Sequence, residues 1–172
     1  MKKVLLIIAQ NNFRDEELLE PKKLLELNGI KCQVASITKD QAKGMLGSIV
    51  KPDLAIKDVK VSDYDLVAII GGQGAHTLIN YPEVFKILQE AKATGKYLAS
   101  ICLGGTVLAK SGVLNGVKST VFSSPEAIKI LKENGARYTP LDVVRDGKII
   151  TATNPKVAKQ FGHALAEALL KS

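Results

Sequence analysis

The chemistry open to this chain centres on Cys102. It follows an apolar run of strand type, Tyr97 to Ile101, and precedes Leu103-Gly104-Gly105-Thr106-Val107-Leu108-Ala109, two glycines in an amphipathic run suited to a helix. Strand, sharp turn and helix make a nucleophile elbow, which expects small residues two positions either side of the nucleophile; here they are Ser100 and Gly104. The N–H groups and dipole at the helix start favour negative charge, so the thiol is expected to ionise more easily than a free one, and the thiolate is the reactive form. Cysteine is also among the residues most often simply buried, so an inert core thiol is the competing reading.

Few other groups could serve it. Glu17 sits in Glu16-Glu17-Leu18-Leu19-Glu20, at the first turn of a predicted helix. Its neighbour Glu16 projects about 100° away around the helix, so only one of them can point inward. The bland alternative is a solvated acidic face. An ionised carboxylate beside a thiolate raises the thiol pKa by repulsion, whereas a protonated one donates a hydrogen bond. A working Cys102–Glu17 pair therefore predicts a shared proton and coupled titration. Gly71-Gly72-Gln73-Gly74 closes a predicted strand, with a spacing that fits neither the dinucleotide fingerprint nor the P-loop. The N–H groups of Gly72 and Leu103 are candidate oxyanion donors; a tight turn alone is the other explanation. His76, close to that turn, is a candidate base for Cys102, while His163 belongs to the closing helix and reads as structural.

These residues must be positioned by an alternation of strands and helices. Lys3 to Ala9 reads as a central parallel strand and Gln10 to Arg14 as a loop. Asp15 is a possible cap for a helix over Glu16 to Asn28, which Pro21 should kink and Gly29 should end. Lys31 to Ile37 is a second strand. Thr38 to Ser62 is irregular, with short strands or a hairpin expected around Leu46 to Val50 and Leu54 to Val59, at one edge of the domain. Asp65 to Ile70 is another central strand, and Tyr81-Pro82 opens a helix ending near Thr94-Gly95. Val117 to Phe122 is a short strand. Ser124 is the natural N-cap of a helix with Pro125 at its first position. Asp146-Gly147 between apolar runs signals a hairpin, and Lys156 to Leu170 is a closing helix. The pattern predicts one domain over residues 1–172, with a mostly parallel sheet, helices on both faces and a late antiparallel hairpin. Sites in such sheets form beyond the carboxyl ends of the strands. Three loops leave from there: Gln10 to Glu17, Gly71 to His76, and Cys102 to Gly105.

Composition excludes several classes. With 172 residues, 46% of them hydrophobic, the chain can bury a sizeable core. Lys and Arg number 24 against 17 Asp and Glu, for a net charge of +7. The lysines are scattered and aromatics are only 5%, which fits a solvated basic surface better than nucleic-acid binding. The two cysteines, Cys32 and Cys102, lack metal-ligand spacing, and there are only two histidines, so no metal and no cofactor are expected. The apolar run after Lys2-Lys3 is short and lacks a small-residue cleavage site, so a buried strand is preferred over a signal peptide. No apolar stretch nears the roughly 20 residues that span a bilayer. A cytoplasmic protein is expected.

Ala99-Ser100-Ile101-Cys102-Leu103-Gly104-Gly105, followed by Gly112-Val113-Leu114, resembles the cysteine elbow of the DJ-1/ThiJ/PfpI family, within the class I glutamine amidotransferase-like superfamily. Phe13-Arg14-Asp15-Glu16-Glu17-Leu18-Leu19-Glu20-Pro21 resembles its first loop and helix, and Tyr64 to Gly72 its third motif. The resemblance implies a flavodoxin-like three-layer sandwich assembled as a homodimer or higher oligomer. It implies Cys102 as the reactive cysteine, Glu17 as its carboxyl partner and Gly72 and Leu103 as oxyanion donors, with Ser124 also at the substrate site. Implied activities are glyoxalase or deglycase chemistry on small reactive carbonyls, peptidase activity on peptides, chaperone activity and oxidative-stress sensing. The chain departs from the family in four places, one of them His76, where PfpI-type peptidases supply Glu near the glycine turn. PfpI-type peptidases carry His directly after the cysteine, where Leu103 stands. Many DJ-1-like members carry His before the later-loop proline, where Ser124 stands, and Arg where Thr153 stands.

Overall fold

The computed structural model describes residues 1–172. In chain order its elements are β1 (Lys3–Ile7), β2 (Asn11–Phe13), α1 (Asp15–Leu27), β3 (Lys31–Ser36), β4 (Ala42–Gly44), β5 (Ile49–Val50), β6 (Leu54–Ala55) and β7 (Leu66–Ile69). They continue with α2 (Pro82–Ala93), β8 (Tyr97–Ile101), α3 (Gly104–Lys110), β9 (Lys118–Ser119), α4 (Pro125–Glu133), β10 (Arg137–Tyr138), β11 (Val143–Asp146), β12 (Ile149–Ala152) and α5 (Ala158–Leu170).

The main sheet has seven strands in the order β11-β12-β8-β7-β1-β3-β6. All neighbours are parallel except β11 and β12, a hairpin in which Asp146 pairs with Ile149 and the turn itself is Gly147-Lys148, one residue later than an Asp-Gly turn. Strands β1, β7 and β8 are almost wholly buried, as continuous apolar runs must be when helices cover both faces. One core joins Val4, Leu6 and Ile8 to α1 and α5. The other joins Leu5, Ile7, Val67 and Ile69 to α2, α3 and α4. The alternation of β1 side chains between these cores is the two-residue period of a strand. The central order β3-β1-β7-β8-β12 is the flavodoxin-like one, and its crevice lies between β1 and β7, where the winding reverses.

Several local expectations hold. Ser124 caps α4, its Oγ accepting from the Ala127 N–H at 3.1 Å. Gly29 ends α1 with φ +74°. Others change. Asp15 does not cap α1. Its side chain turns away and accepts the N–H groups of Leu46 (2.8 Å) and Ser48 (2.9 Å), tying down the β4–β5 hairpin. That hairpin begins at Ala42, earlier than expected, and joins β2 in a small sheet, so the Gln10 to Arg14 segment is partly strand. Leu54–Ala55 instead pairs with β3 as the sheet edge. Pro21 lies buried within α1, which runs on to Leu27; the N–H it lacks would have bonded the Glu17 carbonyl. No helix is long and apolar enough to cross a membrane.

Candidate active site

Cys102 stands at the carboxyl end of β8 with φ +58°, a left-handed conformation that non-glycine residues rarely adopt. The turn is held on both sides. The Cys102 N–H donates to Ala152 O at 2.9 Å, and its carbonyl accepts from Phe122 N–H at 3.3 Å. The strained backbone turns the side chain off the end of the sheet, where it is 6% exposed. The N–H groups of Gly72 and Leu103 are directed at its sulfur. Gly72 has φ +109°, and a Cβ there would run into the Asn12–Arg14 backbone, so only glycine allows the two loops this close.

Glu17 is completely buried in the first turn of α1. The Gly71 N–H donates to its Oε1 at 3.0 Å. Its Oε2 has no hydrogen-bond partner, and the carboxyl lies beside the Cys102 thiol, close enough for each group to shift the titration of the other. Burial pushes the Glu17 carboxyl up to about 8, against the opposing pull of the thiol, the Gly71 N–H and the Arg14 charge. Glu17 is therefore mostly protonated at neutral pH. Burial, and next the charge of Glu17 when it ionises, push the Cys102 thiol up to about 12, outweighing the Leu103 and Gly72 amides. This reverses the sequence-based expectation of an easily ionised thiol: the elbow amides are present, but desolvation of the sulfur is the larger effect. Two groups whose neutral forms are both favoured, sharing one boundary, will lose their first proton as a pair.

Glu16 takes the outward direction. It receives Nε and Nη2 of Arg14 at 2.9 and 3.0 Å, and this pair lowers the Glu16 carboxyl below its ordinary range. A cleft of about 520 Å³ has Arg14 and Glu16 on one wall, Phe122 and Ser123 on a second, Asn154 and Lys156 on a third; Cys102 and Glu17 do not line it, but the Phe122 N–H bonds the Cys102 carbonyl and the Arg14 N–H bonds the Gly71 carbonyl.

The structure thus gathers Cys102, Glu17, Gly72 and Leu103. Ser124 is next to the cleft-lining Ser123, but its Oγ is engaged as the α4 cap. His76 is exposed, its Nδ1 paired with Gln73 O at 2.7 Å, in a separate cleft with Thr38, Thr77 and Tyr81 that includes neither Cys102 nor Glu17. His163 is exposed on α5. Sequence reasoning passed over Arg14 and Lys156; the available signal was that both lie on connections leaving the carboxyl ends of main-sheet strands, Arg14 between β1 and α1 and Lys156 between β12 and α5.

Fold and site together define an α/β sandwich with a cysteine elbow and a buried acid at the carboxyl edge of its sheet. A sequence model of the DJ-1/PfpI family matches residues 2–168, and the chain belongs to that family. It is 42% identical to an uncharacterized protein of Methanocaldococcus jannaschii, over 99% of this chain and 83% of that one. It is 30% identical to a deglycase of Thermococcus kodakarensis (87% and 89%) and 26% identical to the glutathione-independent glyoxalase DJR-1.2 of Caenorhabditis elegans (98% and 89%). Among solved structures, a ThiJ/PfpI domain protein from Brachyspira murdochii superposes with a TM-score of 0.94 at 29% identity, covering 99% of this chain and 97% of that one.

Proposed function

We propose that the protein is a cysteine-dependent enzyme acting on small reactive carbonyls, of glyoxalase or deglycase type, with Cys102 as nucleophile and Glu17 as acid and base. The observation that carries this reading is the buried Glu17 carboxyl, held at one oxygen by Gly71 and without a hydrogen-bond partner at the other, beside the thiol. When the pair has lost one proton, the form with thiolate and protonated Glu17 is the reactive one. The sulfur adds to an aldehyde carbon. The carbonyl oxygen becomes an alkoxide, is stabilised by the Gly72 and Leu103 N–H groups, and takes the Glu17 proton to give a hemithioacetal. For a 2-oxoaldehyde, Glu17 carboxylate then removes the proton from the former aldehyde carbon and returns it to the adjacent carbon. The resulting thioester is hydrolysed to a 2-hydroxy acid. Carbon is oxidised and reduced within one molecule, so no external redox partner is needed.

Relatives named glyoxalase and deglycase support the same reading. A peptidase is less well supported, because His76 is exposed with its Nδ1 paired to Gln73 O and lines a different cleft from the one whose walls bond to the elbow. We place the enzyme in the cytoplasm, as a homodimer or larger homo-oligomer. The test is methylglyoxal consumption with lactate as product: turnover in wild type should vanish in Cys102→Ala and fall steeply in Glu17→Ala. Unchanged consumption in Cys102→Ala would overturn the proposal.

A further inference from the structure

The cleft between Arg14, Phe122 and Lys156 does not include Cys102 in its lining, but all three of its walls are attached to the elbow through the backbone. The Arg14 N–H donates to Gly71 O at 3.0 Å, the Phe122 N–H donates to Cys102 O at 3.3 Å, and Asn154 follows two residues after Ala152, which accepts the Cys102 N–H. A molecule whose carbonyl reached the sulfur would place its remainder among these walls. Their charges are unequal. Glu16 is neutralised by the two-pronged Arg14 contact, which leaves Nη1 of the guanidinium without a side-chain partner. Lys156 is exposed on the third wall, and no carboxylate lies within 4.0 Å of its ammonium. Phe122 supplies an apolar side, at 39% exposure. The cleft therefore offers one unpaired positive charge, spare guanidinium donors and a short apolar wall.

We infer that the preferred substrates are 2-oxoaldehydes carrying a carboxylate a few bonds from the dicarbonyl, with Lys156 and Arg14 receiving the carboxylate. This rests on the carbonyl-enzyme reading above. The aldehyde end reaches Cys102, the short methylene spacer lies along Phe122, and the anion meets the two cations, Arg14 as a planar fork and Lys156 as a point charge. A suitable probe is 4,5-dioxopentanoate. Its conversion to 2-hydroxyglutarate takes up one water, oxidises the aldehyde carbon and reduces its keto neighbour.

The experiment has two arms. In the first, kcat/KM is compared for 4,5-dioxopentanoate and its methyl ester. Wild type should favour the acid by about tenfold, the value of one charge-assisted contact. The ratio should fall toward unity in Lys156→Gln and persist in Lys57→Gln, which removes equal charge at the far edge of the sheet. An acid-to-ester ratio near unity in wild type overturns the inference. The second arm needs no turnover: Cys102 is alkylated with iodoacetate and with iodoacetamide, and the rate ratio is read by mass spectrometry. That ratio should drop several-fold in Lys156→Gln; a ratio unmoved by this substitution overturns the inference. If no oxoaldehyde is consumed but the alkylation ratio drops, the anion pairing stands and the proposed reaction fails. If oxoaldehydes are consumed and neither ratio responds, the reaction stands and the anion pairing fails.

Discussion

Gly71 and Glu17, 54 positions apart, are joined by a 3.0 Å hydrogen bond from the glycine N–H to carboxyl Oε1. The bond ties the first turn of α1 to the end of β7, the strand beside the elbow strand. A Cβ on Gly71 would come within 2.8 Å of Glu17 Oε1, Ile101 O and Cys102 Cβ. Acid, elbow and crevice strand therefore meet where only a residue without a side chain fits.

Gly71→Ala is expected to separate acid and thiol. Relieving the overlap should cost ~1–3 kcal/mol of stability, and carbonyl turnover should fall more than stability alone explains. Denaturant unfolding and turnover, measured together, check this; an alanine variant with wild-type values in both would contradict the packing.

The shared proton predicts the pH profile of Cys102 alkylation. The first ionisation of the pair should appear near the Glu17 value of about 8. Glu17→Gln removes that ionisable partner, so its profile should lose the step and follow a single thiol titration at higher pH, because burial of the sulfur remains. Cys32, pushed up to about 12 by burial, is the internal control. Superimposable profiles for wild type and Glu17→Gln would rule out coupling.

Glu17 also sets a stability trend. Its carboxyl titrates at about 8 in the folded protein against 4.5 when unperturbed. Between these values the native state binds more protons than the unfolded one, so stability falls as pH rises through the window. The loss is on the order of 4–5 kcal/mol when complete. Urea titrations from pH 4.5 to 8.5 should show a decline that is flattened in Glu17→Gln. Equal slopes for the two proteins would mean that the carboxyl is not held protonated.

The positive φ of Cys102 inverts a familiar ranking. Alanine normally stabilises more than glycine, but at a left-handed position the order reverses. Cys102→Gly should be more stable than Cys102→Ala by ~1 kcal/mol, with both inactive. Thermal unfolding of the two variants decides it, and a more stable alanine variant would show that the elbow relaxes when the thiol is gone.

The central strands, the Ser124 cap, the Asp146-Gly147 hairpin and the cysteine elbow were legible in the chain because each rests on local spacing: apolar runs, a capping hydroxyl before proline, a turn dipeptide, small residues flanking a nucleophile. The segment from Thr38 to Ser62 was less legible. Its strands are two or three residues long and too short for a period, and β4–β5 is held by Asp15, some 31 to 33 positions away.

The sequence by itself determined that a cysteine would stand at the carboxyl end of a parallel strand, and that only one of two adjacent glutamates could face inward. Tertiary structure decided which one. Glu17 turns to Gly71 and Cys102, while Glu16 turns to Arg14 and the cleft. It also placed His76 in another cleft despite its nearness to the glycine turn, and it reversed the expected direction of the thiol pKa. The physical reason is common to all three. Periodicity and turn chemistry act between residues a few positions apart, whereas burial, desolvation and the partner of a buried charge depend on distant segments brought together by the fold.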